Sequence, residues 1–245
     1  MATFELEALP ELEGIDREWE GAAPVWRGVY SQGEEEAFFE SLPEYAAGGR
    51  GALGRVAATA AQAALSSSTA GGVPLGQLYG SRPDRGFIDG EFEDELEAAG
   101  MSPEMLMEHF GHAAAAAESE AEAEAFIFPL LPLAAKFLLP KVGSMVMRRV
   151  APQLARGTVR VLRTLRRNPS TRPLVRVMPT IVRRTVRDIA RQVDRGRPIT
   201  PQTALGYLAH ETRRVLEDPR AARHAYRNSR ALDRRYHLIC RRVLR

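Results

Sequence analysis

The 245-residue sequence holds a single cysteine, Cys240, so no disulfide can close within the chain and no thiolate metal cluster can form. That usage fits a reducing compartment. The opening MATFELEALPELEG places carboxylates where a secretory leader needs basic residues, and it lacks an apolar run of adequate length, so classical export is not expected. Also missing are a Ser-His-Asp pattern, a zinc-ligand spacing, a phosphate-binding loop and any alternating apolar run that reads as a strand. The expectation is a non-enzymatic, all-α protein that takes no metal or other cofactor.

Lysine is absent before Ala125, and acid is scarce after it. Residues 1–125 carry 6 Arg against 25 Asp and Glu, a net charge of −19, whereas residues 126–245 carry 28 basic residues against 6 acids, a net of +22. The overall charge of +3 conceals this split. Charges of this size repel within each half and attract between halves. The halves therefore associate with each other or each take an outside partner, and salt weakens both arrangements.

Residues 1–100 read as an acidic, mostly disordered region. Glu, Pro and Gly dominate as far as about residue 45, and scattered aromatics such as Trp19, Trp26, Phe38 and Phe39 follow no sustained period. An Ala-rich stretch, residues 56–65, is expected to form one weak helix with little to pack against. The run EFEDELE, residues 91–97, echoes Phe4-Glu5-Leu6-Glu7 and Pro10-Glu11-Leu12-Glu13. Single apolar residues among carboxylates build no core; they suit a solvated linker or a short segment that docks on a basic, apolar groove. Residues 101–125 read as one Ala/Glu helix, capped by Ser102 with Pro103 at its first position.

Residues 126–147, FIFPLLPLAAKFLLPKVGSMVM, form the most apolar segment, 22 residues in all. As one helix they would cross a bilayer core of about 30 Å. Lys136 near the middle costs roughly 2.5–3.5 kcal/mol, which Leu and Phe at about −0.5 kcal/mol each offset by no wide margin. Pro129, Pro132 and Pro140 interrupt the helix as well. Three readings stay open: a span, a segment lying in the membrane interface, or a kinked helix covered by later helices or an oligomer contact. Phe126, Phe128, Leu130, Leu131, Phe137 and Leu138 are the candidate membrane or partner contacts.

Residues 148–245 carry the clearest period. In residues 154–167, Leu154, Val161, Leu162 and Leu165 share one face and Arg156, Arg160, Arg163 and Arg167 run along the other. Asn168-Pro169 and Arg172-Pro173 break that helix. A second, residues 179–194, buries Ile181, Val182, Thr185, Ile189 and Val193, exposes Arg183, Arg187 and Arg191, and stops at Gly196. Thr200-Pro201 opens a third through Leu205, Leu208, Thr212 and Leu216. Asp218-Pro219 opens a fourth with Ala222, Tyr226, Ser229, Leu232, Tyr236 and Ile239 inward. The expected fold is a small antiparallel helical bundle in the C-terminal half, with an N-terminal half that is largely disordered apart from short helices.

The arginine faces are the strongest functional feature, because guanidinium binds phosphate in a bidentate manner and many of them neutralise a polyanion or an anionic lipid surface. Arg156, Arg160, Arg163, Arg167, Arg183, Arg187 and Arg191 are the candidate anion-binding residues. No base-reading motif accompanies them, so nucleic-acid binding would be sequence-tolerant. Gly49, Gly51 and Gly54 match a dinucleotide glycine pattern, but no strand precedes them and a hinge is the better reading. His109 and His112 share a helix face with Glu108 nearby, a partial metal site that two imidazoles do not close. They read as ordinary surface or packing histidines, His210-Glu211 as surface, and Cys240 as a half-apolar buried position beside Ile239.

The run from Arg166 through Asn168-Pro169-Ser170-Thr171-Arg172-Pro173 to Arg176, with Met178-Pro179-Thr180-Ile181-Val182-Arg183-Arg184-Thr185 after it, resembles a segment of uncharacterised bacterial proteins. Those proteins also carry EFEDELE-like acidic runs and a Glu/Ala stretch before an apolar segment, so the resemblance covers about residues 91–237. Some of them belong with phage-tail-like contractile injection systems, as cargo or membrane-side partners. The resemblance implies a bacterial, non-enzymatic role and carries over no functional residue. The expected function is a membrane-associated interaction protein of the bacterial cytoplasm, attached peripherally or integrally, whose apolar segment and cationic helices engage anionic lipid or a protein partner. Sequence-tolerant nucleic-acid binding by the arginine faces is the alternative.

Overall fold

Capping residues set where the helices begin. The computed structural model describes residues 52–66, 100–139 and 141–243, and among them every regular element is helical. In chain order these are α1 (Ala52–Leu65), α2 (Pro103–Ala116), α3 (Glu120–Ile127), α4 (Leu130–Leu138), α5 (Lys141–Arg166), a 3₁₀ segment (Arg172–Val177), α6 (Met178–Asp194), α7 (Pro201–Leu216) and α8 (Pro219–Val243). Ser102, Ser119 and Thr200 each accept from the backbone N–H three residues on, at 3.3, 3.1 and 3.1 Å, satisfying a donor the helix itself leaves orphaned. Pro103 and Pro201 occupy first-turn positions where no N–H is needed. At the far end of α6, Gly196 adopts φ +68° and the chain closes with Arg197 N–H donating to the Gln192 carbonyl at 3.0 Å, a left-handed stop that glycine permits without strain.

Expectations for residues 1–51 and 67–99, among them EFEDELE, Gly49 and Gly51, lie outside the described residues. Gly54 is inside α1. From α5 onward the expected four helices are present, and their inward positions Leu154, Val161, Leu162, Leu165, Ile181, Val182, Thr185, Ile189, Leu208, Thr212, Leu216, Ala222, Tyr226 and Ser229 are buried. Val193, Leu205, Leu232, Tyr236 and Ile239 are half-buried, because the outer parts of these faces have less packed over them.

The core extends well beyond those four helices. α1 was expected to lack a partner; instead it lies against α5 and α7 and buries Leu53, Ala57, Ala60, Ala61 and Ala64. Small side chains make this possible, since α5 presents Gly157 there. A Cβ on Gly157 would sit 2.7 and 2.9 Å from the methyls of Leu205 and Leu208 and 3.4 Å from the Ala64 carbonyl oxygen. The single Ala/Glu helix expected for residues 101–125 is two helices, broken at Ala117 where Ser119 starts a new cap. α2 packs on α8 and on the 3₁₀ segment, and Gly111 lets it approach α6: a Cβ there would lie 2.6 Å from the Pro179 ring.

The apolar segment is also divided. α3 ends at Ile127, α4 runs for only 9 residues, and α5 begins at Lys141. At about 1.5 Å per residue, α4 spans roughly half a bilayer core. Among the described residues no helix is long and apolar enough to cross a membrane. α4 packs on α6 and buries Leu130, Leu131, Leu133 and Ala134. Leu130 and Leu131, expected as membrane or partner contacts, are 0% and 4% exposed and belong to the core. Phe126, Phe128 and Leu138 are half-buried, and Phe137 is 42% exposed.

Candidate functional site

Acidic α2 and α3 meet arginines of the basic half at close range. The C-terminal carbonyls of α2 have no intrahelical donors, and two guanidiniums supply them. Arg166 donates to Ala114 O at 2.6 Å and to Ala117 O at 2.8 Å; Arg172 donates to Ala115 O at 3.0 Å and also to Ala117 O. Positive charge is favourable at that end of the helix dipole. Arg163 Nε donates to Glu124 Oε1 at 2.6 Å, and Arg183 Nη2 to Glu108 Oε1 at 2.7 Å. Glu108 is 0% exposed. Burial pushes its carboxyl up to about 7, against the opposing influence of Arg183.

Deeper along the α2–α8 contact, three histidines surround one carboxylate. Asp233 is fully buried, and its Oδ1 lies 3.1 Å from His109 Nδ1 and 3.6 Å from His237 Nε2. His112 Nδ1 lies 3.8 Å from the other oxygen, Oδ2. The hydroxyl of Ser229 donates to the Arg176 carbonyl at 2.9 Å and so accepts from His112 Nε2 at 3.2 Å. That chain puts the proton of the neutral His112 ring on Nε2. Burial drives the His112 pKa down to about 3, with Asp233 opposing and Arg176, His109 and His237 adding to the depression. Burial also lowers His237. Tyr236 stacks on the His109 ring at 4.2 Å, and the His237 ring meets His109 edge-on at 5.0 Å. The ligating atoms of His109, Asp233 and His237 all lie within 4.8 Å of one another.

The outer surface is different in character. Arg156, Arg167, Arg187 and Arg191 are exposed and Arg160 is half-buried, whereas Arg163 and Arg183, two further candidate anion-binding residues, are held by Glu124 and Glu108. Arg183, expected on a solvent face, is only 16% exposed because α2 covers it. Arg191 pairs with Asp188 at 3.6 Å beside an open groove between α6 and α7 that also takes in Arg195, Tyr207 and His210. His210 is exposed as expected, but Glu211 is not surface: it is 1% exposed, with Arg214 at 3.4 Å and Arg184 at 3.9 Å. Cys240 is half-buried near Tyr236, whose hydroxyl pKa is pushed up to about 12 by burial and by the thiol.

Among the described residues, the exposed large apolar side chains are Leu65 at the end of α1, 46% exposed, and two that flank residue 140 in the sequence, Phe137 and Met145, 42% and 73% exposed. Lys136, Arg148 and Arg149 are exposed beside them in the sequence.

His109, expected as an ordinary histidine, is gathered with Asp233 and His237, neither of which had been singled out. The i, i+4 spacing of Asp233 and His237 on α8 was visible, but its match to His109, 124 residues away, was not. No family model matches the chain, no curated protein matches its sequence, and no solved structure matches its fold.

Proposed function

We propose that the chain is a non-enzymatic interaction protein that attaches peripherally to an anionic membrane surface through exposed residues of α4 and α5. The observation that supports this reading is the pair of exposed side chains Phe137 and Met145 on α4 and α5, with exposed Lys136, Arg148 and Arg149 beside them in the sequence. An apolar tip that enters the headgroup boundary, backed by cations that hold lipid phosphate, is the two-signal arrangement that stable peripheral binding requires. The burial of Leu130 and Leu131 confines the contact to the rim of the apolar segment. The bacterial resemblance of residues 91–237 suits a cargo or membrane-side partner of a contractile injection system.

Flotation of the full chain with vesicles tests this. Protein should float with phosphatidylglycerol vesicles at low salt, float poorly with phosphatidylcholine, and lose binding when Phe137→Ser and Met145→Ser are combined. No flotation at low salt, or undiminished flotation of the double variant, would sink the reading.

A second reading, sequence-tolerant nucleic-acid binding by the arginine faces, draws on the exposed Arg156, Arg167, Arg187 and Arg191. It requires that affinity for an arbitrary duplex fall steeply with salt. A flat salt dependence excludes it.

A further inference from the structure

We propose that His109, Asp233 and His237 bind a divalent transition-metal ion of the zinc class, joining α2 to α8. Two imidazoles and a carboxylate are a donor set that suits Zn²⁺ and its neighbours rather than magnesium or calcium, which prefer oxygen alone. Two of the three donor separations fit that ion. Ligand bonds of about 2.0–2.1 Å at tetrahedral angles put neighbouring donor atoms roughly 3.3 Å apart. His109 Nδ1 and His237 Nε2 stand 3.1 and 3.6 Å from the same oxygen, Asp233 Oδ1, and the third separation is within 4.8 Å.

Both helices hold the donors in place. Asp233 and His237 are one turn apart on α8 and so share a face, while α2 supplies His109 across the contact. Asp233 is 0% exposed, so its carboxylate is fixed from behind. His109 and His237 are 26% and 21% exposed, which leaves a solvent side through which an ion can enter and on which water completes the coordination. Tyr236, stacked on His109 and edge-on to His237, fixes the plane of both rings. His112, anchored by Ser229 through Nε2, packs beside the same carboxylate, with Nδ1 3.8 Å from Asp233 Oδ2.

Without metal, a hydrogen bond from His109 Nδ1 to Asp233 Oδ1 holds the pair. On binding, the neutral imidazole carries its proton on Nε2 instead and offers Nδ1 to the ion. The metal then replaces one proton-bridged contact with one bond to α2 and two to α8.

The test uses the full chain, stripped with chelator and titrated with Zn²⁺ by calorimetry and with Co²⁺ by visible absorption. Expected are one equivalent bound, tetrahedral or five-coordinate Co²⁺ bands, and a thermal midpoint raised by Zn²⁺. His109→Gln and His237→Gln should each weaken binding at least about tenfold and abolish the thermal shift. Circular dichroism of both variants confirms that they fold. Absence of stoichiometric binding by the folded wild-type chain would overturn the proposal, and so would unchanged binding in both variants. In either case the cluster is a hydrogen-bonded knot of the α2–α8 contact and nothing more.

Discussion

Arg183 and Arg149 are the same residue on amphipathic helices of one bundle, yet Arg183 is 16% exposed and bonded to a buried carboxylate while Arg149 stands in solvent. The same division runs through the whole arginine set. Arg163, Arg166, Arg172 and Arg183 turn toward α2 and α3, where carbonyl and carboxylate oxygens accept their protons. Arg148, Arg149, Arg156, Arg167 and Arg187 face outward. The first group is engaged within the fold and the second is exposed to solvent. Position against the acidic helices makes the difference, since helical spacing is similar in both.

The largest effect expected from breaking this division comes from Arg183→Met. It strands Glu108 in the core, and removing one partner of a buried pair costs about 3–5 kcal/mol. Its pH dependence has a definite sign. The folded pKa of Glu108, about 7, lies above its ordinary 4.5, so the stability it contributes is full below 4.5 and is lost as pH rises to 7. Loss of Arg183 raises the folded value further and extends that loss above pH 7. Urea denaturation should therefore show a larger deficit for the variant at pH 8 than at pH 5. Equal deficits would mean that the carboxylate charge is not the cause. His112 titrates with the opposite sign, stabilising above 6.5 and losing that contribution as pH falls toward 3, but it is common to both proteins and cancels in the difference.

A smaller effect, about 2 kcal/mol, is expected for Arg172→Ala, which removes charge-assisted bonds to the last carbonyls of α2. Amide hydrogen exchange should accelerate in the last turn of α2 and in the Ala117–Ser119 break, with α7 unaffected. Uniform acceleration throughout the bundle would show that Arg172 acts on global packing instead of on the helix end.

The smallest change in stability, within about 0.5 kcal/mol, is expected for Arg148→Gln with Arg149→Gln. The same pair should weaken attachment to anionic vesicles by about 1 kcal/mol per charge removed. A marked fall in thermal midpoint would place these two arginines with the inner group and erase the distinction drawn above.

The helices from α5 to α8 were legible because their signals are local. Apolar residues three, four and seven apart mark a face, and Thr200-Pro201, Asp218-Pro219 and Gly196 mark the ends. α1 was legible as a helix but not as core, since alanines reveal no destination until Gly157 opens a place for them. The break at Ala117 lies in an Ala/Glu run interrupted only by Ser119, whose spacing to Glu122 was its one local sign, and the carbonyls exposed there are satisfied by Arg166 and Arg172, about 50 residues downstream. Propensity does not register a donor that arrives from so far away.

By itself the sequence determined the helical class, the positions of most helix starts and stops, and the separation of acidic from basic residues, because each follows from period, capping chemistry or composition along a short stretch of chain. Only the tertiary structure decided which arginines remain free, which leucines of residues 126–147 are core, and that His109 meets Asp233 and His237. Those outcomes depend on which helix lies over which face. That is fixed by close fits such as the Gly111 backbone against the Pro179 ring and by the demand that buried carboxylates and helix-end carbonyls find donors.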